Sequence, residues 1–288
     1  MFVRSLLQQW MRQNAEQTMR SLLDRGLKTR SFPPADGAEA EPLPSVEIAV
    51  CCAMQLEAGG ILDLLADLQS TRCPSLIEHV GNLAGMPVAV VETGVGRVAA
   101  ARAARELIAM RRPRWIISAG FAGGLIDAVA RQHLVLATSV IDESGREIPI
   151  PGNWGATSAG VHLGRLLTVD RVVRTAEEKR LLAEKWSACA CDMETSAVLE
   201  AAREQGIGLL SVRVVTDDLL DELPPDIESI VSQKSFASRL GAAAGAVLRR
   251  PASVKEMWNL RERAIVASDR LARVLQGLIP ALARREES

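Results

Sequence analysis

Continuous apolar runs, several of them followed by a helical pattern, constrain this chain more than any other feature. The first is "VEIAVCCAM" (46–54), followed by "PVAVVETG" (87–94), "RWIISAG" (114–120), "HLVLATSVI" (133–141) and "GLLSVRVVTD" (208–217). A strand with one wet face alternates apolar and polar residues, so a run without alternation is covered on both faces. Helical spacing at 96–110 and 194–205 supplies such cover. The expected fold is α/β: a three-layer sandwich with a central mixed, largely parallel sheet flanked by helices, plus N- and C-terminal helical extensions.

The same reading divides the chain. Residues 1–31 place Leu6, Leu7, Trp10, Met11, Met19, Leu22, Leu23 and Leu27 at helical spacing, with six basic residues against two acidic, and read as an amphipathic extension. Residues 32–45 form a Pro/Ala/Glu-rich linker. The main domain is expected over 46–235. Residues 236–288 read as C-terminal helices packed on it: an apolar one at 237–248, a break at Pro251 and another from about 253 to 279. "EIPIPGNWGATSAG" (147–160) reads as a Pro/Gly loop, a rim for a pocket.

Bulk properties exclude several classes of function. Net charge is −1, so no global basic field attracts nucleic acid, and aromatic content of 3% leaves few platforms for stacked bases. The five cysteines have no C-x-x-C spacing and the three histidines no H-E-x-x-H pattern, so neither a disulfide framework nor a zinc site is expected. A reducing cytoplasm fits that usage, and no metal or cofactor is called for. No apolar run reaches the length of a membrane span. The N-terminus soon reads "QQWMRQNAEQ" and is not a secretory signal.

"VVETGVGRVAA" contains Gly94-x-Gly96-x-x-Ala99 between a strand and a helix, the setting of a dinucleotide-binding turn. It follows a later strand rather than the first, and "RWIISAG" ends without an acid to hold a ribose. A tight turn into a packed helix is the stronger reading.

The informative acids sit where strands finish. Glu57 follows the first run, Asp192 and Glu194 flank Met193 at the mouth of a helix, and Asp217 and Asp218 close the last run. Asp192 suits a helix cap, and early acids suit the positive end of a helix. In an open α/β sheet, however, ligands bind at the carboxyl ends of strands. Carboxylates gathered there repel one another, and partial burial raises the pKa of at least one.

Five segments in order, "AMQLEA", "TGVGRVAAA", "SAGFAGGL", "DMETSAV" and "VRVVTDD", resemble the signature segments of the nucleoside phosphorylase/nucleosidase superfamily. The pattern is most similar to that of methylthioadenosine/S-adenosylhomocysteine nucleosidases and covers about residues 46–235. The resemblance implies cleavage of a purine from C1′ of ribose through an oxocarbenium-like transition state. It makes Asp217 the general acid toward the departing base, kept protonated by burial beside Asp218. Glu194 would hold the ribose hydroxyls, Met193 would pack on the sugar, and Arg213 would orient a carboxylate beneath the site. Gly94, Gly120, Gly123 and Gly124 would let backbone approach the ligand. "TVDRVV" (168–173) loosely matches the base-stacking segment and brings in Val172.

Water is expected as the nucleophile. Phosphorolysis needs cations and hydroxyl donors around a dianion. Related phosphorylases carry an arginine where this chain has Glu57, and a phosphate-binding serine where it has Phe121. Glu57 therefore reads as the general base that takes a proton from water. Nucleosidases also usually have serine at the Phe121 position, so this chain departs from both patterns. A phosphorylase in the same fold, and a nucleoside-binding protein without turnover, remain as alternatives.

Residues 249–285 hold nine basic and three acidic residues. With the basic N-terminal helix, they leave two readings: contact with an anionic membrane surface, or packing on the domain and dimerisation. Apolar faces at helical spacing do the second more often, so a homo-oligomer, with a dimer favoured, is expected. Hopanoid-associated members of the superfamily give a precedent for an adenosylated lipid substrate at a membrane face.

Overall fold

The computed structural model describes residues 45–152, 158–224, 227 and 252–284. The expected helices at 1–31 and 237–248 and nearly all of the 32–45 linker lie outside these residues.

Each apolar run forms a strand. The first becomes β1 (Ile48–Cys52), every residue of which is buried. It alternates between two cores: Ile48, Val50 and Cys52 join one apolar cluster, and Ala49 and Cys51 join the other. The remaining runs become β4 (Met86–Glu92), β5 (Trp115–Gly124), β6 (Leu134–Asp142) and β10 (Gly208–Asp217). β4 and β5 flank β1 in parallel, and β10 runs parallel to β5 on its other side. Covering both faces of these parallel strands places the molecule in the α/β class.

Helices complete the outer layers. α1 (Gln55–Leu62) and α5 (Ala252–Arg284) share one side, where Ile61, Leu271 and Leu275 meet Ile48 and Val50. α2 (Arg97–Arg111) and α4 (Thr195–Glu204) share the other, where Ala100, Ala104, Leu107, Val198 and Ala202 meet Ala49 and Cys51. α3 (Ala176–Trp186) leaves its polar face to solvent and packs Leu182 on a third cluster with Leu167 and Val173. Its N-cap is Thr175, whose hydroxyl accepts from Glu178 N–H at 3.2 Å.

Several elements depart from the sequence expectation. β2 (Ala66–Arg72) and β3 (Ile77–Leu83) form an antiparallel meander with β4 and extend the sheet at one edge. Within the supposed loop at 147–160, Glu147–Pro149 forms β7 and pairs with β6, while residues 153–157 are not described. Val161–Thr168 is a further strand, β8, and Ala190–Asp192 is β9, so the helix expected from 194 begins only at Thr195. The last helix runs past Pro280 to Arg284 rather than stopping near 279.

The sheet also curls on itself beyond β1. β10 pairs antiparallel with β6, β6 parallel with β8, and β8 parallel with β9. β9 then pairs with Gly123 and Gly124 at the end of β5. The five strands β5, β10, β6, β8 and β9 thus make a closed ring. Closure brings the ends of β9 and β10 against the end of β5, and the site forms there.

Candidate active site

Glu57 enters from α1. It lies in the first turn, where the free N–H groups of a helix attract a carboxylate. Its Oε2 accepts from the backbone N–H of Ala53 at 2.7 Å and of Met54 at 3.2 Å, while Oε1 accepts from Phe121 N–H at 2.8 Å. The side chain thereby bridges the end of β1 and the end of β5. Gly120 makes this approach feasible: a Cβ there would stand 2.5 Å from Glu57 Oε1. Burial raises the Glu57 carboxyl above its ordinary value, against the pull of Arg213 and the three N–H groups.

Glu194 and Asp192 enter from the junction of β9 and α4. The turn after β4 places Gly94 and Gly96 at φ +82° and +89°, a region that side chains rarely tolerate. This lets Gly96 N–H donate to Glu194 Oε1 at 2.8 Å. The glycine pair is therefore a turn at the N-terminus of α2, as the stronger sequence reading had it, and one of its amides holds a carboxylate. Glu194 is pushed up to about 8, by burial first and then by the neighbouring charges of Asp192 and Glu57.

Asp192 is both a cap and an ion-pair partner. Its Oδ2 accepts from Thr195 N–H at 3.0 Å, and Oδ1 accepts from the Thr168 hydroxyl at 2.8 Å. Arg213 meets the same Oδ2 through Nε at 3.0 Å and Nη2 at 2.7 Å. Nη2 also donates to Ser118 Oγ at 2.7 Å and to the Thr195 hydroxyl. Arg213 thus orients a carboxylate, and its charge also reaches Glu57 and Glu194.

Asp217 closes β10 opposite Gly123. Its Oδ2 lies 3.0 Å from where a Gly123 Cβ would stand, so it presses on the same strand end as Glu57. Burial raises its carboxyl above the ordinary range, while Lys179 works in the other direction. The proposed influence of Asp218 is a correction: past the strand end, the side chains of Asp217 and Asp218 part company. Asp218 faces Arg131 at 3.2 Å and caps Leu220 N–H, and the like charge acting on Asp217 comes from Asp221.

The structure gathers Glu57, Asp192, Glu194 and Arg213 into one electrostatic cluster, with Asp217, at the end of β10, against the adjoining stretch of β5. Met193 is partly buried against the cluster formed by Cys191, Val173 and Leu125. Val172 lies in the connector between β8 and α3, half-buried, beside Val173 of that cluster. Sequence reasoning missed Lys179, whose ammonium is 2.7 Å from Asp217 Oδ2. It also missed the hydroxyls of Ser118, Thr168 and Thr195, which carry no long-range signal in a sequence.

Buried carboxyl groups thus gather where the parallel strands of an α/β sheet end, the edge at which such sheets bind their ligands. The chain belongs to the phosphorylase superfamily, whose model matches residues 47–153 and 151–250. The 5′-methylthioadenosine/S-adenosylhomocysteine nucleosidase of Shewanella oneidensis is 24% identical over 221 residues, 68% of this chain and 94% of that one. Two solved structures share the fold. The 5′-methylthioadenosine/S-adenosylhomocysteine nucleosidase of S. pneumoniae, bound to a transition-state inhibitor, has a TM-score of 0.64 at 18% identity, covering 83% of this chain and 100% of that one. The futalosine hydrolase of Helicobacter pylori has a TM-score of 0.62 at 15% identity, covering 81% and 97%.

Proposed function

We propose that this protein is a nucleosidase that hydrolyses the bond between an adenine-type purine and ribose. One observation carries the reading. Glu57 is hydrogen-bonded to Phe121 N–H and Asp217 is seated against Gly123, so two buried carboxyl groups flank the same end of β5. Burial raises both, which suits a base that must take a proton and an acid that must keep one.

The roles follow from these environments. Asp217 gives its proton to a ring nitrogen of the purine, and the glycosidic electron pair leaves with the base. Water adds to C1′ and its proton passes to Glu57. Exchange with solvent then restores both carboxyl groups. Glu194, with one oxygen fixed by Gly96, offers the other to the ribose hydroxyls. Met193 gives the sugar an apolar neighbour, and Gly94, Phe121 and Val172 line the remaining approach. Arg213 holds Asp192 oriented behind them. Proton transfer of this kind contributes about 10²–10⁴ in rate.

The choice of water over phosphate rests on charge. Glu57 stands where a dianion would need a cation, and the Arg213 guanidinium is taken up by Asp192. Incubating the purified protein with methylthioadenosine, S-adenosylhomocysteine, adenosine and inosine, with and without phosphate, tests the proposal. Free base released without phosphate is expected. Strictly phosphate-dependent release would replace hydrolysis by phosphorolysis. Tight binding without release would make this a nucleoside-binding protein.

A further inference from the structure

Lys179 has no role in the reading above, yet it is 0% exposed. An ammonium removed from water is strongly disfavoured unless its donors are satisfied. All three are. They reach Asp217 Oδ2 at 2.7 Å, the Asp218 carbonyl at 2.5 Å and the Asp221 carbonyl at 3.1 Å. One cation from α3 therefore clamps the carboxyl at the end of β10 and the turn that follows it. Buried ion pairs add little net stability compared with apolar side chains of similar volume. What the lysine does to Asp217 is the better account of its presence.

We propose that Lys179 is a positioning residue for the proton donor: it fixes Asp217 Oδ2, leaves Oδ1 to carry the proton, and stabilises the carboxylate left once that proton has gone. The inference rests on Asp217 being the general acid. The step balances. The Asp217 O–H proton moves to the purine, the base departs with the glycosidic pair, and the negative charge left on Asp217 faces an ammonium that itself transfers nothing.

The surroundings leave this task to Lys179 among the described residues. Oδ1 is held by the Thr216 hydroxyl at 3.1 Å. Asp221 is paired with Arg131 and Arg263, and Asp218 with Arg131. On the other side of Gly123, β9 presents the Cys191 thiol, raised by burial and by Asp217, and then Asp192, which is bound to Arg213. The cation thus makes Asp217 a stronger acid than burial alone would allow. Without it, Asp217 keeps its proton to higher pH and gives it up less readily.

The test uses Lys179→Met and Lys179→Arg, in the native chain and in an Asp217→Asn background, with 5′-methylthioadenosine as substrate. Lys179→Gln, uncharged but still a donor, stands in where Met does not fold by circular dichroism. The Asp217 carboxyl is followed by 13C NMR, assigned by its loss in Asp217→Asn. Loss of charge should lower kcat by about tenfold or more with KM little changed, a fraction of the full general-acid effect. The alkaline limb of the rate profile and the carboxyl titration should both move up by roughly one pH unit. Arginine should restore both, and Lys179→Met should add nothing in the Asp217→Asn background.

An unmoved limb and titration, or an equal loss in that background, would overturn the inference. Failure of both uncharged variants to fold would also overturn it, by making the lysine a requirement of the fold. Native turnover in Asp217→Asn would instead remove the general-acid reading itself. Loss of turnover in Asp217→Asn with an unaffected Lys179→Met would remove only the lysine's part.

Discussion

Arg213 and Lys179 each hold a buried carboxylate at the same end of the sheet, but only one of the two pairs leaves chemistry free. The Arg213–Asp192 pair is saturated: two nitrogens share Oδ2, the Thr168 hydroxyl takes Oδ1, and Thr195 N–H caps the group. The Lys179–Asp217 pair is lopsided, with the ammonium on Oδ2 and only a hydroxyl at 3.1 Å on Oδ1. A planar guanidinium suits the first task and a compact ammonium the second. The saturated pair is scaffold. The lopsided pair is a working group, so damage to the two should show in different measurements.

The largest expected effect is on turnover. Asp217→Asn removes the proton that the base needs and should cut turnover by about 10²–10⁴-fold, and Glu57→Gln should cut it by at least ~10²-fold. Glu57→Gln keeps its side-chain shape and should change the melting temperature little, whereas Asp217→Asn also takes the anionic partner from the buried Lys179 and should lower it. Steady-state assays beside thermal melts check this, and near-normal turnover in both variants would contradict the assigned roles.

Arg213→Met should do the reverse in kind. It strands the Asp192 carboxylate in a buried site and removes the Nη2 donor that Ser118 and Thr195 share. Breaking a buried pair from one side costs about 3–5 kcal/mol. Urea denaturation should read that loss directly. A loss below ~1 kcal/mol would mean that the pair is not the scaffold described.

A smaller effect is expected from pH. Glu194 titrates near 8 in the folded protein against an ordinary value of 4.5. An acid raised by folding holds its proton more tightly when folded, so stability falls as pH climbs from about 4.5 to about 8 and then levels. Glu57 and Asp217 are raised too and add to the same slope. Glu194→Gln should flatten the fall in denaturation midpoint between pH 5 and pH 8 without abolishing it. Parallel curves for the native protein and the variant would refute the burial argument for Glu194.

The contrast between the two pairs also marks what a sequence can reveal. The parallel strands were legible because burial on both faces removes alternation, as in "VEIAVCCAM". β2 was not, because an edge strand such as "ADLQSTR" carries mostly polar, half-exposed residues. Ring closure was hidden as well: β9 is only three residues long, and its pairing with Gly123 depends on contacts across the fold. In the site, Glu57, Asp192, Glu194, Arg213 and Asp217 were visible as charges at strand ends or through the family resemblance. Lys179 was not. In "AEEKRLLAEK" it reads as one more charge on a solvated helix face, and only the turn at 218–221, far along the chain, covers it.

That camouflage suggests the mildest way to disturb the lopsided pair. Lys179 lies in the first turn of α3, held at its start by Thr175, whose hydroxyl accepts from Glu178 N–H at 3.2 Å. Thr175→Ala removes one cap and should cost about 1 kcal/mol of stability. The bond is exposed, so the loss belongs to the helix start rather than to the core. If α3 serves Asp217 only through Lys179, fraying that first turn should lower kcat by a few-fold and leave KM unchanged, because no proposed ligand contact lies on the helix. Arg213→Met, by contrast, should lower stability without any such separation of kcat from KM. A Thr175→Ala protein that loses stability but keeps native kcat would show that the lysine holds its geometry independently of the helix start. The clamp on the 218–221 turn would then be what fixes it.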